Sequence, residues 1–530
     1  MIKKRQLYSQ CDIIKFRVVK IKLKKGCILM LQFETQLKKL KHEVLVEVVK
    51  LARENNITKK ELDKIPYKII QGDKARYRCC VYKEREVVAE RARIALDLNP
   101  NGENKKVNTE KINIKDGEQI IYVLEAACDS CPINDFTVTD LCRGCLAHRC
   151  KESCKFGAIS YINGRAYIDQ DKCKSCGACK KACQYDAISE MIRPCKSVCP
   201  TGALDINKDT SKAIIHEEKC VNCGACMSAC PFGAISDRSL IAPVARLLEK
   251  KEKNIYAIVA PAITGQVPAI ITYGQVKNAI KSLGFKDMYE AACGADAVTV
   301  HEANEFVERM EDGASIMTNS CCPGFVSYID IMFPDMADKI SHTVSPMIAT
   351  GRYIKNMDPD SVVVFIGPCT AKKKEAFRKD VAGAIDYVLT FEELMALFEG
   401  FDIHLAKCQN EDTDGASIFG RGFGAAGGLT KAIENYIADK GVDVDFKPVK
   451  VSGGKEAKKV LTLSKVNKAG GNFIEGMMCE GGCINGAGKF ISMPKAKPAF
   501  DKKNSQSSIK TVLSNEVLEE YEDIDLERNL

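Results

Sequence analysis

The sequence predicts a multidomain chain of α+β and α/β class: an N-terminal helical segment, a tandem array of cysteine-rich modules, and a C-terminal α/β domain. Three observations predict it. From about residue 33 to 95, apolar residues such as Leu40, Val44, Val48 and Leu51 recur at helical spacing with Lys and Glu between them. Sixteen of the 27 cysteines crowd into residues 128–230. From residue 254 onward, strand-like apolar runs alternate with helical ones, the layout of an α/β domain. The expected boundaries are a basic extension at 1–29, the helical segment and linker at 30–125, the cysteine-rich region at 126–240, the α/β domain at 241–500 and an acidic tail at 501–530.

Composition removes several function classes. A chain of 530 residues supports several cores. Small secreted disulfide scaffolds are far shorter, so this cysteine usage points to metal or cluster ligation in a cytoplasmic protein without a signal peptide. No apolar run approaches a membrane span. Six histidines are few for a histidine-based zinc or copper enzyme. The formal charge of +8 is local: residues 1–29 hold nine Lys/Arg and one acid, and the remainder is neutral. No basic groove for nucleic acid is implied. The basic stretch reads either as a misassigned start ahead of Met30 or as a loose extension, with a partner-binding arm as the functional alternative.

Taken in order, the first helix is followed by a second, charged one from Arg78-Cys79-Cys80-Val81 to about Leu96. Cys79 and Cys80 read as packing residues, since adjacent thiols on a helix point different ways. Residues 97–116 read as a polar linker.

The cysteine-rich region carries the strongest local signal. Cys173, Cys176, Cys179 and Cys183 have the C-x2-C-x2-C-x3-C spacing of bacterial ferredoxins, and Cys220, Cys223, Cys226 and Cys230 repeat it, with Pro231 following. Three closely spaced thiolates hold one cubane face and the fourth crosses to a neighbouring cluster. A zinc site wants two C-x2-C pairs without a third cysteine in step. A looser run, Cys142, Cys145, Cys150 and Cys154, precedes them. The expectation is two ferredoxin-like modules back to back. One [4Fe-4S] cluster falls to Cys142, Cys145, Cys150 and Cys183, a second to Cys173, Cys176, Cys179 and Cys154, and a third to Cys220, Cys223, Cys226 and Cys199. Cys128, Cys131, Cys195 and Cys230 are left as a fourth set of four, with structural thiols or zinc as the competing reading of Cys128 and Cys131. A row of three to four cubanes serves single-electron transfer between a surface partner and a buried site.

In the α/β domain, Asn254-Ile-Tyr-Ala-Ile-Val-Ala-Pro reads as a buried strand, and helical and strand patterns then alternate through 275–283, 361–367, 391–398 and 429–438. Three cysteine segments punctuate it: Thr318-Asn-Ser-Cys321-Cys322-Pro323, Gly367-Pro368-Cys369-Thr-Ala-Lys372, and Glu475-Gly-Met477-Met-Cys479-Glu-Gly-Gly-Cys483. Cys479 and Cys483, four apart, face one site if a helix starts there. A disulfide and a buried structural pair are the plain alternatives. Cysteines from such separate loops can converge on one large inorganic centre.

These three segments resemble the signature peptides of the iron-only ([FeFe]) hydrogenases, and the arrangement ahead of the cubanes resembles the clostridial branch called group B. The likeness covers roughly residues 30–500. It implies a C-terminal α/β iron-only hydrogenase catalytic domain holding an H-cluster: a [4Fe-4S] cubane on Cys322, Cys369, Cys479 and Cys483, bridged through Cys483 to a diiron unit with carbon monoxide, cyanide and a dithiomethylamine bridge. Lys372 matches a lysine that hydrogen-bonds cyanide, as an ammonium suits an anionic ligand. Met477 matches a residue lining the diiron pocket. Cys321 matches the thiol that passes protons to the amine, and the relay continues through Glu302, Ser341 and Glu305 with Arg309 beside it. Matching Glu302 and Glu305 needs a one-residue gap before Cys321. The implied reaction is the reversible reduction of protons to dihydrogen, with ferredoxin as electron partner and separate maturation enzymes delivering the diiron unit. Many members carry methionine at Gly367, tryptophan at Phe325 and glycine at Ala487; this chain has no tryptophan.

Two further signals are weighed against this. Gly422-Phe-Gly424-Ala-Ala-Gly427 fits G-x-G-x-x-G, but the polar run before it is no strand, so close backbone packing is the preferred reading over dinucleotide binding. Cys293 and Cys408 read as unligated. The competing functions are a related cluster-assembly protein of eukaryotes, a bare electron carrier and a hydrogen sensor. The acidic stretch near 516–527 reads as a surface helix or loose end.

Overall fold

The computed structural model describes residues 33–528 apart from 99, 101–117, 130, 132–134, 208 and 414. The basic extension and nearly all of the polar linker lie outside the described residues. Among the described residues, no helix is long and apolar enough to cross a membrane.

Helix Gln36–Arg53 starts at Thr35, whose hydroxyl accepts the Lys38 N–H, and buries Val44, Val48, Val49 and Leu51 along one side. It packs on helices Phe391–Gly400 and Ile241–Lys250 of the C-terminal domain. Helix Val81–Ile94 begins directly after Cys80. Cys79 and Cys80 are exposed, so the packing expected of them is corrected: they sit ahead of the helix rather than on its buried face.

The two cysteine modules are nested, not back to back. Strand Ile121–Val123 pairs antiparallel with Ile235–Asp237, which closes one module around Cys128, Cys195 and Cys230 in a core with Leu204, Ala213 and Ile235. The other module, with hairpin Ile159–Ile162/Arg165–Ile168 and the pair Phe136–Val138/Ile188–Glu190, is inserted between those strands. Its core holds Cys150 and Cys179 beside Phe136 and Ile168. Reading the motifs in linear order missed the long-range pairing of 121–123.

The C-terminal domain is built on two parallel sheets. The first has strand order Asp287–Glu290, Ile255–Val259, Val362–Ile366, Tyr387–Leu389. The second has order Met317–Thr318, Phe473–Met477, Pro448–Ser452. Val362–Ile366 and Ile255–Val259 are buried along their full length, as strands covered on both faces must be. All three cysteine peptides leave the carboxyl ends of strands: Thr318 into Cys321, Ile366 into Cys369, Met477 into Cys479. Open α/β sheets place their ligand crevice at that end.

Of the two readings of the acidic stretch, the surface helix holds, as a 3-10 helix at Glu516–Tyr521, and the loose end does not. Val512, Tyr521, Ile524 and Leu526 are buried, and Asn515 donates to buried Asp296 at 2.8 Å. Four spaced apolar residues among the acids supply the anchoring that the charge pattern concealed.

Candidate metal centre

The segment 475–488 contains no α-helix starting at Cys479. Strand Phe473–Met477 ends, Gly481 and Gly482 turn through positive φ of 83° and 96°, and a single 3-10 turn covers Cys483–Asn485. Glycine is required there: a Cβ on Gly482 would stand 2.4 Å from the Ala426 nitrogen. Glu475 anchors the strand by accepting the Gly427 and Thr430 N–H groups at 2.8 and 2.9 Å. The glycine-rich run at 422–427 is therefore backbone packed against the third cysteine peptide, preceded by helix Ile418–Gly422 rather than a strand.

One cavity is lined by Cys321, Cys322, Cys369, Lys372, Met477 and Cys483, with Pro261, Ala295, Met347, Phe365 and Phe423 among its apolar walls. Cys479 adjoins it: burial raises its thiol well above the usual pKa, and the charges of Cys369, Cys483 and Cys322 add to that. Burial likewise pushes Cys369 up to about 11, with Cys322 contributing. Four thiols from three loops thus feel one another in a water-poor setting. That is the environment in which binding to a metal, rather than solvation, compensates a buried thiolate.

Lys372 Nζ donates to Glu375 at 2.6 Å and to the Cys321 carbonyl at 3.3 Å. An ammonium has three donors, so one remains for the cavity. Cys321 is held by Asn319, whose Nδ2 donates to its sulfur at 3.1 Å while its Oδ1 accepts the Gly476 N–H at 2.7 Å. Asn319 ties the first cysteine peptide to the third, a role its place in a loop gave no sign of. Burial pushes the Cys321 thiol well up, and the Glu302 and Cys322 charges push the same way.

Behind Cys321 lies a polar file. Glu302 is fully buried, and burial first, then Glu305, raise its pKa to about 8; the Ser320 amide and Ser341 hydroxyl oppose them. The Ser320 amide and Ser341 hydroxyl are near enough to favour its charge but make no well-formed hydrogen bond to either carboxyl oxygen, the Ser341 hydroxyl donating to Glu305 instead. Glu305 accepts from Ser341 Oγ at 2.6 Å, His342 N at 2.8 Å and Thr343 Oγ1 at 3.0 Å, and pairs with Arg309 at 2.6 Å. Together with Arg309, these donors hold its carboxyl below the ordinary range despite burial. The two acids differ in the way a proton path requires: one poised near neutrality inside, one ionised toward the surface.

The outlying thiols fall into sets by mutual influence. Burial raises Cys195 to about 11, with Cys230, Cys128 and Cys131 next. Burial raises Cys226 strongly, with Cys223, Cys220 and Cys199 next. Cys179 is raised by burial and by Cys173 and Cys154. The Tyr161 hydroxyl lies 3.3 Å from Cys150 and feels Cys145 and Cys142 after burial and Cys150. Cys176 is exposed and Cys183 partly buried beside this inner core. Ala158, Ala187 and Ala234 donate backbone N–H groups to Cys154, Cys183 and Cys230 at 3.3, 3.4 and 3.3 Å, the same offset three times. Such donors tune cluster potentials. Among the described residues no three His, Cys, Asp or Glu donors gather tightly enough for a single ion. A cubane instead puts each thiolate on its own iron corner, so its sulfurs surround a body rather than a point.

The set of Cys199, Cys220, Cys223 and Cys226 abuts the cavity, with Cys223 close enough to influence Cys479. Thr370 Oγ1 donates to the Asn222 carbonyl at 2.7 Å, and a Cβ on Gly224 would meet Ala487 Cβ at 2.3 Å. The methyl at 487 fills a gap left by glycine across the contact. Gly367 and Phe365 are matched in the same way: a Cβ at 367 would come 2.6 Å from the Phe365 ring. The Phe325 ring covers Gly476, at 2.2 Å from where its Cβ would be.

Residues 253–487 match the family described as iron only hydrogenase large subunit, C-terminal domain. Residues 189–241 match an LdpA Fe-S cluster-binding domain and 166–189 a 4Fe-4S binding domain. Iron hydrogenase 1 of Clostridium pasteurianum is 31% identical over 392 residues, covering 64% of this chain and 68% of that protein. The chain belongs to the iron-only hydrogenase family. The periplasmic [Fe] hydrogenase large subunit of Nitratidesulfovibrio vulgaris is 30% identical over 50% of this chain and 75% of its own length. Protein NAR1 of Arabidopsis thaliana is 24% identical over 45% of this chain and 66% of its own length. This member of the iron-only hydrogenase family thus combines ferredoxin-like iron-sulfur modules with the hydrogenase domain.

Proposed function

We propose that the chain is a cytoplasmic hydrogenase that reversibly reduces protons to dihydrogen, using electrons from a small acidic ferredoxin. One observation carries the reading: Cys321, Cys322, Cys369, Cys483, Lys372 and Met477 line a single cavity, with Cys479 beside it. The donors suit an H-cluster, since soft sulfur ligands, apolar walls and one cation match a cubane joined to a unit with anionic ligands. In this reading Cys322, Cys369, Cys479 and Cys483 would hold the cubane, Cys483 would be the thiol shared with the diiron unit, Met477 would line that unit's pocket and Lys372 would offer a donor to its anionic ligands. When bound, the group supplies an open metal position and an amine base at which dihydrogen is made or split. Separate maturation enzymes supply the diiron unit.

The chain's own residues do the rest. Cys321 carries the proton between the cavity and Glu302, and Ser341 and Glu305 pass it outward, with Arg309 keeping Glu305 ionised. Four accessory [4Fe-4S] clusters deliver electrons: on Cys142, Cys145, Cys150 and Cys183; on Cys154, Cys173, Cys176 and Cys179; on Cys128, Cys131, Cys195 and Cys230; and on Cys199, Cys220, Cys223 and Cys226. The mutual influence of thiols within most of these groups supports the assignment, and the Asn222–Thr370 contact makes the last group the one next to the cavity. The NAR1 likeness favours a second reading, a cluster-assembly protein or electron carrier without the diiron unit. Infrared spectra of protein matured with the diiron-loading enzymes separate the two: bands of iron-bound carbon monoxide and cyanide are expected, and their absence would leave the second reading.

A further inference from the structure

The end of the chain is bound over the polar file behind Cys321. Val344 N–H donates to the Leu526 carbonyl at 2.8 Å, Thr343 and Glu527 form an antiparallel bridge, and Arg528 N–H donates to the His342 carbonyl at 2.9 Å. These same residues, His342 and Thr343, present the donors that hold Glu305. The tail then turns inward. Arg528 is 9% exposed, and its Nη2 donates to the Ser320 carbonyl at 2.9 Å. The Ser320 hydroxyl in turn donates to the Thr343 carbonyl. The peptide entering Cys321 is thereby gripped from both sides, once by the tail and once by the segment the tail is paired to.

The charge on Arg528 is also placed. Burial lowers its pKa, and the charged groups facing it are Glu375, Arg378, Asp380 and Glu302. The charged groups facing Glu302 are Glu305 and Arg528. A guanidinium stays protonated under this burden far better than an ammonium would. Of the acids facing this buried cation Glu375 comes first, with Asp380 and Glu302 after it, and Glu302 is the one that belongs to the file; burying a charge is costly unless it acts on such partners.

We propose that Arg528 is a positioning residue of the proton path: through the Ser320 carbonyl it fixes where the Cys321 thiol points, and its charge faces the Glu302 carboxyl across the step between them. The inference rests on the proton path proposed above. It makes the tail a working part of the site.

The test uses the matured full chain and the variants Arg528→Gln, Arg528→Lys and Arg528→Met. Arg528→Gln removes the charge while offering a donor; Arg528→Lys keeps the charge. In Arg528→Gln, dye-linked dihydrogen turnover is expected to fall about tenfold with the carbon monoxide and cyanide bands unchanged. The infrared band of the protonated Glu302 carboxyl, identified by its loss in Glu302→Gln, should persist to higher pH by about one unit, since a nearby cation is gone. Arg528→Lys should restore that pH midpoint. In Arg528→Met, amide hydrogen exchange across residues 318–322 should speed up, which needs no turnover to read. If Arg528→Gln keeps both wild-type turnover and the wild-type carboxyl midpoint, or if all three variants lose activity alike with the midpoint unmoved, Arg528 is only an anchor and the proposal fails. If the wild-type protein turns over no dihydrogen, the hydrogenase reading fails instead, while the carboxyl midpoint and the exchange rates still judge Arg528.

Discussion

Two parts of this molecule gather cysteines by different means. In the nested modules each set draws two or three of its thiols from one short run and the rest from farther along the chain, and in two of the runs a left-handed glycine does the turning: Gly177 and Gly224, at φ of 73° and 69°, open the short helices that carry Cys179 and Cys226. Around the cavity, the thiols come from loops at the ends of three different strands in two sheets, and no short segment holds more than a pair. The first arrangement depends on local backbone geometry, the second on the whole domain. A ligand lost from a module should therefore cost one cluster, whereas a ligand lost at the cavity should cost the function.

The largest effect is expected at Cys483. Cys483→Ser should abolish the carbon monoxide and cyanide bands after maturation and lower dihydrogen turnover by more than about 10²-fold, beyond the loss typical of an outer-shell partner. Iron content should stay close to that of the accessory clusters proposed above. Wild-type bands in Cys483→Ser would break the contrast between the two regions. Cys321→Ala comes next. On the roles proposed above it removes a proton carrier and no iron ligand, so the bands should survive while turnover falls by about 10²–10⁴-fold. Full activity in the loaded Cys321→Ala protein would remove Cys321 from the path. Cys176→Ser sits in the exposed part of the inner module. It should remove one cluster signal by electron paramagnetic resonance and slow ferredoxin-driven turnover by no more than about tenfold, because other clusters still feed the cavity. Loss of the diiron bands in Cys176→Ser would show that the modules and the cavity are not independent.

The same difference decides what could be read from the sequence. The C-x2-C-x2-C-x3-C runs were legible because cubane ligation is written in local spacing. The α/β layout was legible because Val362–Ile366 and Ile255–Val259 are continuous apolar runs. The nesting of the modules was not, since it hangs on three residues, Ile121–Val123, pairing with a strand more than a hundred positions later. Nor was the geometry at Cys479: thiols four apart suggest a helix, and only the positive φ of Gly481 and Gly482 shows the turn that brings them round. Asn319 and Arg528 left no motif, because Asn319 joins the neighbouring Cys321 sulfur to the distant Gly476 backbone and Arg528 bonds to the distant His342 and Ser320 carbonyls. The acidic tail misled by its charge, as its few apolar residues decide where it goes.

The smallest effect concerns stability rather than rate, and it separates the cavity side from the modules by pH. Glu302 has a folded-state pKa raised from 4.5 to about 8, chiefly by burial. A carboxyl raised in this way favours the folded state while it is protonated. Its contribution is complete below the unfolded pKa and is lost as pH rises through about 8. Thermal unfolding of the C-terminal domain should therefore become easier from mildly acidic to mildly alkaline pH, and Glu302→Gln, which keeps the shape and cannot ionise, should flatten that slope. Glu305 runs the other way. Its folded pKa is lowered, so its contribution is present above the unfolded value and is lost only in acid, outside this window. A Glu302→Gln protein with the wild-type slope between about pH 6 and 9 would mean that the internal carboxyl is already solvated in the working protein, and the dry interior on which the proton path depends would have to be given up.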